Sequence, residues 1–99
     1  MTRDEILDKA SELINGDRAK DYGPARKNHD DIAQGWSVIF GVDVNAAQVA
    51  RAMAWLKICR LSKTADHLDS YVDAVAYMAL AGEMATELEP EVVNRLRAV

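Results

Sequence analysis

Every apolar run in this chain recurs at spacings of three and four residues and is stopped by a glycine, a proline or a polar cap, which commits it to helices. In no segment does polarity alternate with the period of a strand. Thr2 followed by Glu5 is a capping-box pattern, and Ile6, Leu7, Ala10, Leu13 and Ile14 then repeat until Asn15-Gly16, predicting a first helix over 3–15. Pro24 suits a first helical position, and Ala25, Ile32, Ala33, Trp36, Ile39 and Phe40 form a stripe ending at Gly41, a second helix over 24–40. Asn45 with Gln48 caps a third, carried by Val49, Ala50, Met53, Leu56, Ile58 and Cys59 to about residue 62. Thr64 or Asp66 can cap the fourth, which runs from Leu68 to Leu88 with alanine at 74, 76, 79, 81 and 85, so that its neighbours can approach closely. Pro90 opens a short last helix over 91–98, with Val92, Val93 and Leu96 on one side. The fold class is all-α: a compact four-helix core with a short C-terminal helix, in one domain over 1–99.

Size and charge narrow the partners. Ninety-nine residues build one small core, and a net charge of −4 gives no broad field to draw in a polyanion, so duplex nucleic acid is not an expected partner. No segment approaches the roughly 20 apolar residues of a membrane span, and MTRDEILDKASEL is no signal peptide, so the expected location is the cytoplasm. Cys59, the single cysteine, reads as a small buried hydrophobe. Gly82 falls inside helix four, where it costs about 1 kcal/mol relative to alanine unless a close helix contact needs the space. With an off-stripe Trp55, it points to a homo-oligomer.

The chemistry should come from polar residues placed against these stripes. Lys57 and Arg60 share a face of helix three with Met53, while Asp66, Asp69 and Asp73 run down helix four, continued by Tyr77. An isolated buried carboxylate costs several kcal/mol, so Asp73, set among Val72, Ala74 and Val75, needs a partner. Two readings are open. Asp69 and Asp73 pair with Lys57 and Arg60 and fix the register of two antiparallel helices, or they orient those cations, with Arg18, toward an anionic ligand. The second reading allows Mg²⁺ on the aspartates, with water and phosphate completing its shell. His29 falls on the inner face of helix two, where most histidines are hydrogen-bonded core residues. With Asn28 and Tyr22 nearby it can also receive a planar base. Trp36 reads as core. GDRAKDYG, residues 16–23, is not a Walker loop, yet it leads into a helix amino terminus at Gly23-Pro24, where free N–H groups favour an anion; the loop is expected to fold back over helices three and four.

GDRAKDYG, Asn28, Trp36-Ser37, the Lys57-Ile-Cys-Arg60-Leu61 run and Asp69-Ser70-x-x-Asp73 with Tyr77 together resemble a family of small phage and prophage proteins of unknown function, over residues 6–85. More distantly, the layout is similar to nucleotide-modification-associated phage domains and to MazG-like all-α nucleoside triphosphate pyrophosphatases. That resemblance implies a nucleotide or related phosphorylated ligand, with Arg18, Lys57 and Arg60 on phosphate, Tyr22, Asn28 and His29 at the base, and Asp69 and Asp73 orienting the cations or holding Mg²⁺. The pyrophosphatases hold Mg²⁺ on an ExxE and a later ExxD pair. This chain instead has Asp30-Asp31, and Asp69 with Asp73 at i,i+4. The alternatives to an enzyme are a sponge that sequesters a nucleotide signal of host defence and a purely structural oligomer.

Overall fold

The computed structural model describes residues 1–16 and 24–87. They form four helices: α1 (Arg3–Asn15), α2 (Ala25–Phe40), α3 (Ala46–Arg60) and α4 (Leu68–Thr86), with no strand among the described residues. The expected last helix over 91–98 and residues 17–23 of the GDRAKDYG loop lie outside them.

The helix ends follow the local chemistry. At α1 the capping box forms in full: Thr2 Oγ1 accepts from the Glu5 N–H at 3.2 Å, and the Glu5 carboxylate accepts from the Thr2 N–H at 3.3 Å. Gly16 closes α1 with its N–H on the Glu12 carbonyl at 2.8 Å, and a Cβ there would lie 2.6 Å from that oxygen, so no larger residue fits this backbone. The α2 end is a left-handed turn at Gly41, φ 68°, with the Gly41 N–H on the Ser37 carbonyl. Asn45 and Gln48 cap α3 reciprocally, both bonds at 2.9 Å. Neither Thr64 nor Asp66 caps α4: His67 occupies the N-cap, its side chain making no cap bond, and Tyr71 Oη donates to the Ala65 carbonyl at 2.7 Å. Both α3 and α4 end two residues before the expected positions.

Helix α4 is the centre of the arrangement. It packs most extensively on α3 and also on α1, while α2 packs on α3. Ala10, Val72 and Ala76 make one core cluster, with Ile6, Leu13, Ile14 and Val75 against it, and Ala46, Ala47 and Met84 make another with Ala25 and Leu80. Eight of the eleven buried hydrophobics among the described residues are alanines, so the helices close at short range but bury few large side chains. Two expectations are corrected here. On helix three Cys59, Leu56 and Ile58 are exposed, and Ile39 and Phe40, placed on the stripe of helix two, are exposed at its C-terminal end, beyond the buried His29 and Ala33. No helix of the described residues is long and apolar enough to cross a membrane.

Candidate functional site

The α3–α4 contact carries the one ion pair, among the described residues, that joins those two helices. Lys57 Nζ lies 3.1 Å from Asp73 Oδ2, the two side chains only 15% and 20% exposed. Lys57 is in the last turn of α3, where the carbonyl end of the helix favours a cation. One turn along α4 from Asp73, Tyr77 meets the ring of His29, edge to face, with centroids 6.1 Å apart. His29 is 5% exposed, and its Nδ1 lies 2.7 Å from the Ala25 carbonyl. A carbonyl only accepts, so Nδ1 carries a proton and donates it. The result is a polar seam in an apolar interior, drawn from α2, α3 and α4: an ion pair, a tyrosine and a histidine.

The other sequence-derived candidates fall around it. Arg60 and Asp69 are exposed, so the four-member cluster expected from Lys57, Arg60, Asp69 and Asp73 is, in its buried part, a pair. Asp69 occupies the first turn of α4, where its charge complements the helix amino terminus. Asn28 is exposed on α2. Arg18 and Tyr22 lie outside the described residues, as does the expected folding of their loop over α3 and α4. Trp36 is half-buried, edge-on to Phe40, and not fully in the core.

Sequence reading passed over two serines. Ser37 Oγ accepts from the Val44 N–H at 2.9 Å and lies 2.7 Å from the Ala33 carbonyl, which ties the α2–α3 turn to the helix before it. Ser70, 1% exposed, meets His67 Nδ1 at 2.7 Å and fixes the entry of α4 three residues before Asp73. The sequence signal was present in Trp36-Ser37 and Asp69-Ser70, where an oxygen stands on an otherwise apolar helix face. Arg26 was likewise missed: it reaches Asp30 at 3.3 Å and Glu87 at 2.9 Å, joining α2 to the end of α4 beside an open groove floored by Ala33, Ala46 and Met84.

Metal fits poorly. Asp73 faces Lys57, while Asp30 and Asp31 face Arg26 and Lys27. Among the described residues no three of His, Cys, Asp or Glu gather closely enough to hold an ion.

Residues 5–85 match a family described as a domain of unknown function, DUF6378. The chain belongs to the DUF6378 family. It is similar to the Gene 55 protein of Mycobacterium phage L5, 41% identical over 80 residues, which are 80% of this chain and 51% of that protein. It is also similar to the Gene 55 protein of Mycobacterium phage D29, 38% identical over 74 residues, 75% of this chain and 49% of that protein. The chain thus spans about half the length of the curated relatives it matches. No solved structure matches it. The DUF6378 match encloses the whole seam, from His29 to Tyr77.

Proposed function

We propose that this DUF6378 protein binds a nucleotide or a related phosphorylated small molecule over the α3–α4 seam and returns it intact. The observation that carries the reading is Lys57: a largely buried ammonium with three N–H donors and, among the described residues, a single carboxylate within 4 Å. Asp73 holds it in one place and leaves donors for a phosphate. Arg18 and Arg60 add to the phosphate contacts. Tyr22, Asn28 and the Nε2 edge of His29 receive the base. We favour binding without hydrolysis over a MazG-like pyrophosphatase because Asp30, Asp31 and Asp73, the aspartates a metal would need, each face a cation. We assign no Mg²⁺ site. Similarity to phage proteins makes sequestration of a host nucleotide signal the role we favour for such a binder.

A thermal-shift screen of nucleotides and cyclic nucleotides, with and without Mg²⁺, tests this. A ligand at 100 times its Kd adds about 2.7 kcal/mol to stability, a rise of about 11–22 °C in a domain of this size. The rise should occur in the parent, need no Mg²⁺, and vanish in Lys57→Met. No shift with any nucleotide at millimolar concentration overturns the proposal, and Mg²⁺-dependent release of pyrophosphate replaces it with the enzyme.

A further inference from the structure

Among the described residues, the helix pair α3–α4 is covered on one side only. Lys57 meets Asp73 across the two helices, and Ala54, Ser70 and Tyr77, each three or four residues from a member of that pair and so on the same helix faces, are buried or half-buried like it. Ala54, Lys57, Ser70 and Tyr77 are each followed by a large apolar residue: Trp55, Ile58, Tyr71 and Met78. One residue further is about 100° of rotation, and on antiparallel helices that rotation leads to the same side of the pair. Val72 and Ala76, which precede Asp73 and Tyr77, turn the opposite way, and that is the side on which α1 packs. The side holding the four large residues has no such cover from the described residues: they range from 42% exposed at Tyr71 to 66% at Trp55. Gly82 continues the Tyr71–Met78 stripe, and a Cβ built on it meets nothing within 4 Å.

We infer that this face is the contact between two copies of the chain, which stack α3 and α4 of one on α3 and α4 of the other about a two-fold axis. Area supports a second copy. The four side chains offer about 400 Å² of apolar surface, taking an aromatic as roughly 200 Å² when fully buried, and the small residues between them raise this toward 500 Å². An ordinary stable interface of about 800 Å² per partner, some 60% apolar, needs that amount. Composition supports it too. A core built mainly of alanine leaves the folded chain dependent on a partner that is always present in equal number, which another copy of itself is. The stripes carry no carboxylate, and Arg51 at one end is their only charge, so nothing on them selects a charged partner.

Sedimentation with light scattering from 1 to 100 µM tests the contact. A mass of two chains is expected, with a melting temperature that rises with protein concentration, and Trp55→Glu with Met78→Glu should give one chain. Should that variant fail to fold, the emission of Trp55 in a Trp36→Phe background decides: a blue-shifted band that moves red on dilution supports the contact, and a fully solvated band at every concentration overturns it. A mass of one chain throughout also overturns it, whether the face is bare or covered from within the chain. So does a dimer that survives Trp55→Glu with Met78→Glu but is broken by Val38→Glu with Phe40→Glu, which alters the separate apolar patch at the end of α2.

Discussion

Lys57 of α3 and Asp73 of α4 neutralise each other at 3.1 Å between two helices whose buried residues are mostly alanine, valine and methionine. Neither charge can be removed alone without leaving the other poorly solvated. Asp73→Asn is expected to cost about 2–3 kcal/mol, less than a fully buried pair because both side chains keep some water. Lys57→Met should cost less than Asp73→Asn, since methionine fills the space. The double change Lys57→Met with Asp73→Leu should recover most of the loss. Denaturant unfolding of the four proteins closes the cycle, and additive single effects would show that the pair does not interact.

Ser37→Ala should loosen the turn between α2 and α3. The substitution removes the acceptor of the Val44 N–H and the donor to the Ala33 carbonyl, at an expected cost of about 1–2 kcal/mol. Amide exchange at Val44 would rise locally before the helices melt. An unchanged Val44 protection factor would mean that water replaces the hydroxyl without loss.

The helices were legible because caps and glycines speak locally: Thr2-Glu5, Asn45-Gln48, Gly16 and Gly41 mark four of the eight described helix ends by side-chain chemistry or backbone freedom alone. The site was legible in part. A lone aspartate among valines and alanines announces that it has a partner, and the partner proved to be Lys57. Which of two cations would be buried was not readable, because Lys57 and Arg60 lie three residues apart and only the end of α3 decides that Arg60 is left outside. Cys59 and Phe40 were misjudged for a related reason: periodicity shows which residues share a face, but not how far along a helix its neighbours extend.

Acid should fray α1 through a single group. The Thr2 N–H and then the Thr2 hydroxyl hydrogen-bond the Glu5 carboxylate and hold its pKa below the usual value. A carboxyl whose folded pKa is depressed contributes stability that is present above its unfolded value and lost as pH falls through the folded one. Exchange of the Ile6 amide, which donates to the Thr2 carbonyl, should therefore accelerate as pH drops below the ordinary glutamate range, after correction for intrinsic rates. In Glu5→Gln the corrected exchange should be nearly flat with pH. A parent and variant with the same acid profile would remove Glu5 from the explanation.

Two glycines of one helix should respond to alanine with opposite signs. Gly35 is exposed within α2, and a Cβ there meets nothing within 4 Å, so Gly35→Ala should stabilise the protein by about 0.5–1 kcal/mol through helix propensity. Gly41 also has open space around it, but its φ of 68° is one that an L side chain adopts at a cost, so Gly41→Ala should destabilise by about 1 kcal/mol. Near 4–8 °C per kcal/mol for a domain of this length, the two melting temperatures should separate by about 6–16 °C. The contrast isolates backbone conformation from packing, because neither alanine methyl touches another atom of the described chain. A loss of stability in Gly35→Ala would mean that something outside those residues packs on this part of α2, and concentration dependence of the loss would identify it as a second copy.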